Sequence, residues 1–259
     1  MLALIAGTGR LPPTLHRALS ARGAAPLVCA MSGFEPELDV DITFHIEHLG
    51  SFLNRLGDEG VTRVCMAGAV SRPDIDPSRI DGATAPLVPA LQEAMAKGDD
   101  GTLRAIVALF EERGIAVVGA AALLPTLLPA PGVPTRSEPT DAERKMAELG
   151  ESTIAELGAR DVGQACLLRE GRLIAAEGAA GTAAMMESTS AKGAVLFKAP
   201  KPKQDRRVDL PLIGPDTARQ AITAGLNGII IEAGGVMVLE FDEVCEKLDA
   251  GGLFLWVRP

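Results

Sequence analysis

LALIAGTGRLP, residues 2–12, decides the fold, because an apolar strand runs here into a glycine turn and then a helix. Residues 2–7 form an apolar run that ends in glycine, and residues 11–22 carry apolar side chains at helical spacing. The pattern then repeats, with strands predicted over 26–31, 42–46, 61–70 and 115–120 and helices over 49–56, 87–97 and 102–113. Strands that alternate with helices predict a Rossmann-like parallel sheet.

A proline-rich stretch follows this region. Residues 123–140 hold five prolines in eighteen positions, which is typical of a linker or a domain edge. Beyond it we predict a helix over 141–157 with Thr140 or Asp141 as N-cap, a hairpin around 170–171, and further strands and helices. The fold class is therefore α/β with two domains. We predict a Rossmann-like domain at 1–130, a linker at 131–140 and a mixed α/β domain at 141–259.

Composition excludes several classes of protein. A formal net charge of −9 and an aromatic content of 3% argue against a nucleic-acid partner. No run of about 20 apolar residues could span a membrane, and the N-terminus lacks the basic region of a signal peptide. The four cysteines are scattered through apolar runs, so we expect reduced core thiols and a cytoplasmic location.

Residues 198–214, KAPKPKQDRRVDLPLIG, concentrate charge in one segment. Its prolines exclude a helix, and the alternation of Val208 and Leu210 predicts a short strand that carries Asp209. Several cations around Asp205 and Asp209 suit a polyphosphate and a metal ion. The alternative is an ordinary solvated loop.

The turn at Gly7 and Gly9 has two interpretations. It is either a plain tight turn or an anion site at a helix N-terminus. Pro12 stands where the dinucleotide fingerprint has its third glycine, and no acid stands at Met31 or Ser32, near the end of the second strand. A nicotinamide site is therefore less favoured than either.

Three other motifs also have two interpretations when read from residue type alone. Arg72 follows a buried strand, where it could bind phosphate in two contacts or simply be solvated. Asp99 and Asp100 follow Lys97 and could cap a helix or contact a metal or ribose. Thr182, in a motif with Glu177 and Gly181, opens a helix, either as its N-cap or as part of a phosphate site.

The order of these motifs resembles a known family over nearly the whole chain. The matching pieces are GTGRLP (7–12), GAVSRPD (68–74), KGDDGTLR (97–104), DVGQACLLREGRLIAAEGAAGT (161–182) and KAPKPKQDRRVDLPLIG (198–214). They are similar to the UDP-2,3-diacylglucosamine pyrophosphatases of the lipid A pathway, in the Rossmann-like and not the calcineurin-like type. One departure is Ala183, where the family usually has Asp.

The resemblance implies hydrolysis of a UDP-diacylglucosamine lipid to UMP and the acylated sugar 1-phosphate (lipid X), with Mg²⁺ or another divalent cation. It implies Asp209 as the catalytic residue and as a metal ligand, with Asp205 as a second ligand. The candidate substrate-binding residues are Gly7, Gly9, Arg72, Lys97, Asp99, Asp100, Gln164, Thr182, Lys201, Gln204 and Arg207.

Two other functions are kept as alternatives. One is a nicotinamide-dependent oxidoreductase that uses the Gly7–Gly9 turn, and the other is a nucleotide-sugar-binding protein without catalysis. A lipid substrate also implies transient contact with the inner membrane, and a homodimer is left open.

Overall fold

The structure is a computed structural model that describes residues 1–71, 73–96, 98–202 and 204–259. The chain forms two compact units. The first comprises Met1–Pro125 and Asp205–Val208, and the second comprises Thr126–Gln204 and Asp209–Pro259. Two features differ from the predicted division. The proline-rich residues 131–140 belong to the second unit, and a four-residue piece of the charged segment belongs to the first.

A parallel sheet forms the centre of the first unit. Its strands are β1 (Leu2–Ala6), β2 (Leu27–Met31), β3 (Ile42–Phe44), β4 (Arg63–Ala67) and β5 (Ala116–Val117). Its helices are α1 (Leu11–Ser20), α2 (Leu49–Asp58), α3 (Val88–Met95), α4 (Asp99–Glu111) and α5 (Ala120–Leu123), with 3-10 turns at Ile46–His48, Pro77–Arg79 and Ala85–Leu87. Within the described residues the strand order is β3-β2-β1-β4-β5, and every pair is parallel. The predicted Rossmann-like sheet is confirmed.

The strand order of this sheet reverses beside β1, which places the loops after β1 and β4 next to each other. Thr8 and Ala69 form a backbone bridge between these two loops. A Cβ on Gly7 would lie 2.5 Å from the carbonyl oxygen of Ala69, so only glycine permits this approach. Ligands of open α/β sheets bind in the crevice at such a switch point.

The second unit is built on a mixed sheet. Its strands are β6 (Ala165–Arg169), β7 (Arg172–Ala176), β8 (Val195–Lys198), β9 (Leu212–Ile213), β10 (Gly228–Glu232), β11 (Met237–Val238) and β12 (Phe254–Arg258), and its helices are α6 (Asp141–Ala159), α7 (Gly181–Ser188), α8 (Pro215–Thr223) and α9 (Phe241–Gly251). The described strands pair in the order β12-β10-β8-β6-β7, in which β6 runs antiparallel to both neighbours. Strands β9 and β11 form a separate parallel pair.

The period of two along β8 sorts its side chains between two cores. Val195 and Phe197 pack with residues of α6, whereas Leu196 packs with residues of α7, α8 and α9. A Cβ on Gly150 of α6 would lie 2.4 Å from the ring of Phe197, so glycine lets this helix approach the strand. Lys198, two residues after Leu196, therefore falls on the α7 side of the sheet.

Local chemistry explains the predicted ends of two elements. Thr140 is the N-cap of α6, and it forms a capping box with Glu143. The β6–β7 hairpin turns at Glu170 and Gly171, whose φ angles are +50° and +71°. Positive φ at both central residues is the signature of a type I′ hairpin turn, so the predicted hairpin is confirmed.

The proline-rich stretch is fixed to the second unit by polar contacts. The hydroxyl of Thr135 accepts the backbone N–H of Leu255 at 2.8 Å, and the backbone N–H of Arg136 donates to Asp249 at 2.7 Å. These bonds explain why residues 131–140 belong to a compact unit and not to a free connection. None of the helices in the described ranges combines the length and hydrophobicity needed to cross a bilayer.

One predicted strand is wrong. Residues 206–208 form a turn, Asp209 has no strand assignment, and β9 begins only at Leu212. The carboxylate of Asp205 accepts the backbone N–H of Arg207 at 3.0 Å, which closes a local turn that competes with extended pairing.

Candidate active site

A buried lysine lies at the end of β8 in the second unit. Lys198 is only 7% exposed, and its ammonium donates to the hydroxyl of Thr182 at 2.9 Å. The Thr182 hydroxyl in turn donates to a carboxylate oxygen of Glu177, which is also buried. The other oxygen of Glu177 accepts the backbone N–H of Gln164 at 2.7 Å. Strand ends and the start of α7 thus converge on one polar cluster.

Asp209 enters the same cluster through two glutamines. The side-chain amide of Gln204 donates to the Asp209 carboxylate and to the side-chain oxygen of Gln164, the latter at 3.2 Å. The Gln204 side-chain oxygen accepts the backbone N–H of Lys201 at 2.9 Å, which fixes the orientation of the amide. Asp209 is half-buried, so a ligand can reach it.

The charges of this cluster act on Lys198 in opposite directions. Burial lowers the pKa of Lys198, because the ammonium is removed from water. The negative charges of Glu177 and Asp209 favour the ammonium and oppose that lowering. A buried cation that feels two carboxylates also interacts strongly with any further anion.

Lys201 fastens the charged segment to the second unit. Its ammonium lies 2.5 Å from the carboxylate of Asp161, at the other end of the loop that leads into β6. Asp161 has a φ angle of +53°, a conformation that is uncommon outside glycine and that Asp tolerates better than most residues. Lys201 therefore has a structural partner in addition to its predicted role in substrate binding.

Asp205 has a different environment in the first unit. Arg207 donates to both carboxylate oxygens of Asp205, at 3.0 and 2.7 Å, and also to Glu111 at 2.6 Å. These hydrogen bonds hold the pKa of Asp205 below its usual range and raise the pKa of Arg207. Both carboxylate oxygens of Asp205 therefore take part in a bidentate ion pair with Arg207.

The other predicted residues of the first unit lie in two places. Gly9 has a φ angle of +96° and precedes α1, so the turn after β1 needs glycine, which is compatible with either of its interpretations. Asp99 and Asp100 lie inside the first turn of α4, where Asp100 pairs with Arg104 at 2.8 Å. Arg72 and Lys97 lie outside the described residues.

Comparison with known proteins identifies the family of the chain. A family model described as the LpxI N-terminal domain matches residues 1–127, and one described as the LpxI C-terminal domain matches residues 130–256. The chain belongs to the LpxI family. The two family domains meet between residues 127 and 130, close to the division of the structure after Pro125.

A curated relative covers both LpxI domains. The chain is 35% identical to the UDP-2,3-diacylglucosamine pyrophosphatase LpxI of Caulobacter vibrioides over 98% of this chain and 96% of that protein. The predicted resemblance is thereby confirmed, in its Rossmann-like type. The LpxI matches support a pyrophosphatase, and they give no support to the two alternatives, an oxidoreductase and a non-catalytic binding protein.

Thr182 was given two interpretations, and the N-cap interpretation is wrong. Ala180 is the N-cap of α7, and Thr182 lies within the first turn with its hydroxyl turned to Glu177 and Lys198. The candidate site residues did not include Lys198, a cation of the charged segment, or Glu177, which was part of the motif with Thr182. The available signal was a lysine that ends the apolar strand VLFK on the same face as Leu196.

The predicted metal site depends on the oxygen donors that Asp209 and Asp205 offer. Within the described parts of the chain, no three His, Cys, Asp or Glu side chains converge as a metal-binding group. Mg²⁺ commonly takes one or two carboxylates and completes its shell with water and substrate phosphate. The half-buried carboxylate of Asp209 in the LpxI site meets that requirement, and the Arg207-bound carboxylate of Asp205 meets it less well.

Proposed function

We propose that the chain hydrolyses the pyrophosphate of UDP-2,3-diacylglucosamine to UMP and the acylated sugar 1-phosphate, as a step of lipid A biosynthesis. The observation that carries the proposal is the placement of the half-buried Asp209 in one cluster with the buried Lys198. Full-length similarity to an LpxI pyrophosphatase supports it.

The chemistry requires water to attack one phosphorus as the bridging P–O bond breaks. A new P–O bond forms, the bridging oxygen leaves with the other phosphate, and two phosphate monoesters result. Such a reaction depends on positioning and on neutralising the non-bridging oxygens. Asp209 can orient the attacking water, and the ammonium of Lys198 supplies positive charge in a dry site.

Asp209 is the residue that we propose to hold Mg²⁺, together with phosphate oxygens of the substrate. The bound ion would neutralise charge that develops on those oxygens. Gln204 fixes the carboxylate of Asp209 by donating to it, as outer-shell partners of metal ligands do. Asp205 stays a weaker proposal, because Arg207 occupies both of its oxygens.

The lipid nature of the substrate sets the proposed partners and location. We propose a cytoplasmic protein that contacts the inner membrane transiently, since a diacylated substrate partitions into a bilayer. A homodimer is a further proposal. Co-sedimentation with vesicles that contain the substrate would test membrane contact, and sedimentation equilibrium would test the dimer.

The direct test is release of UMP from UDP-2,3-diacylglucosamine by the purified protein. We expect UMP in the presence of Mg²⁺ and loss of turnover when EDTA removes the cation, with recovery when Mg²⁺ is restored. Tight substrate binding without UMP would instead identify a binding protein. Saturable NAD(P) binding in the absence of UMP release would identify an oxidoreductase.

A further inference from the structure

The direction of each hydrogen bond around Thr182 is fixed by its partners. The carboxylate of Glu177 can only accept, so the single hydroxyl proton of Thr182 is donated to it. The lone pairs of Thr182 must then accept the N–H of Lys198, at 2.9 Å. Glu177 itself is fixed on its other oxygen by the backbone N–H of Gln164. Thr182, Glu177 and the backbone of Gln164 thus fix the direction of the Lys198 ammonium.

The same cluster leads back to Asp209 on its other side. Gln164 is linked through its side chain to Gln204, and Gln204 donates to the carboxylate of Asp209. Asp209 and Lys198 attract each other electrostatically. A chain of hydrogen bonds therefore runs from Asp209 through the glutamines, Glu177 and Thr182 to Lys198, and charge attraction closes it into a ring.

We propose that Thr182 is a positioning residue that, anchored by Glu177, holds the Lys198 ammonium toward Asp209 and the reacting phosphates. The inference rests on the proposed hydrolysis and deepens it, because it assigns Lys198 as a cation that faces the reacting phosphates. Thr182 acts through Lys198, and the substrate is not its direct partner.

The buried Lys198 ammonium needs a neighbour such as Thr182 to fix its direction. A lysine has four rotatable bonds in its stem, and its ammonium has no fixed direction unless neighbours define one. Lys198 is buried on the face of the sheet that α7 covers. The hydroxyl of Thr182, in the first turn of α7, accepts a hydrogen bond from its ammonium. A displacement of about 1 Å in such a group can reduce turnover about 100-fold.

The test compares Thr182→Val with Thr182→Ser in UMP release. Val keeps the shape of the side chain and removes the hydroxyl, and we expect kcat to fall about 100-fold while KM changes less than about threefold. Ser keeps the hydroxyl, and we expect it to retain kcat within about fivefold. Thr182→Ala is the second hydroxyl-free variant should Val disturb folding, because alanine is the best helix former.

Thr153→Val is the matched control in the same unit. Thr153 is also buried, and its hydroxyl donates to the carbonyl oxygen of Leu149 at 2.7 Å, within α6. We expect this variant to keep the wild-type kcat. If Thr182→Val and Thr182→Ala both match the control in kcat, the inference is overturned.

A double-mutant cycle separates positioning from a general structural effect. If Thr182 acts through Lys198, Thr182→Val combined with Lys198→Met should turn over no more slowly than Lys198→Met alone. Losses that multiply would show that the two residues act independently and would overturn the inference. Wild-type protein that releases no UMP would instead refute the proposed function itself, so the two failures are distinguishable.

Discussion

Asp205 and Asp209 stand four residues apart in one charged segment, yet the structure gives them opposite environments. Asp205 belongs to the first unit, and Arg207 occupies both of its carboxylate oxygens. Asp209 belongs to the second unit and is half-buried. Its carboxylate accepts a hydrogen bond from the side-chain amide of Gln204 and interacts electrostatically with the buried Lys198. Asp205 is bound in an ion pair with the exposed Arg207, whereas Asp209 borders the buried polar cluster of Lys198 and Glu177.

The difference shows that residue type and sequence proximity do not decide the role of a carboxylate. A bidentate guanidinium contact neutralises an acid and leaves it little capacity for a metal ion or a water molecule. An acid beside a desolvated lysine and a fixed amide has a defined orientation and strong local electrostatics. We therefore expect chemistry at Asp209 and stabilisation at Asp205.

The largest expected effect separates the two acids in turnover. Asp209→Asn keeps the shape of the side chain and removes its charge, and we expect kcat to fall about 1,000-fold or more, since the carboxylate proposed to hold the metal or the water is lost. Asp205→Asn should keep kcat within about tenfold. UMP release at saturating substrate measures both. Equal losses in the two variants would mean that both carboxylates take part in the reaction.

A smaller effect is expected in the pH dependence of stability. The pKa of Asp205 is lowered in the folded protein, so its contribution is present above the unfolded pKa of about 4 and is lost as the pH falls through the folded pKa. Since Arg207 is 43% exposed and screened, the contribution is about 1 kcal/mol or less.

Urea unfolding of wild type and Asp205→Asn measures this contribution. We expect the variant to have the lower midpoint at pH 7 and the two midpoints to converge as the pH falls through the lowered folded pKa of Asp205. A midpoint difference that persists undiminished at low pH would show that the ion pair with Arg207 is not its source.

The smallest effect is expected from restoring the acid that the family usually has. Ala183 lies in the first turn of α7, and that turn carries no acidic residue. Ala183→Asp should raise stability by about 0.5 kcal/mol through the helix dipole and change kcat less than about threefold. Ala183→Asn is the uncharged control. A tenfold rise in kcat would mean that the second unit needs another carboxylate besides Asp209.

The sequence was sufficient for features that depend on local pattern. Alternating apolar strands and amphipathic helices predicted the parallel sheet of the first unit, and Thr140 and the Glu170–Gly171 turn were predicted from capping and turn chemistry. These features depend on neighbours in the chain, which the sequence displays directly.

The sequence was insufficient where distant residues meet. VLFK indicates only that Lys198 shares a face with the apolar Leu196, and the polar contacts of Lys198 depend on Thr182 and Glu177 from another part of the chain. The separation of Asp205 from Asp209 likewise depends on Arg207 finding Glu111, 96 residues away in the chain. The strand predicted at Asp209 failed because a side-chain-to-backbone hydrogen bond at Asp205 competes with extended structure.

The return of Asp205–Val208 to the first unit has a consequence for synthesis on the ribosome. The first 125 residues are made as one block, but the four residues that complete their unit emerge about 80 residues later. At about 5–20 residues per second, the nascent first unit waits several seconds for the piece that pairs with Glu111. For the same reason, a gene cut once between the two halves encodes no complete first unit.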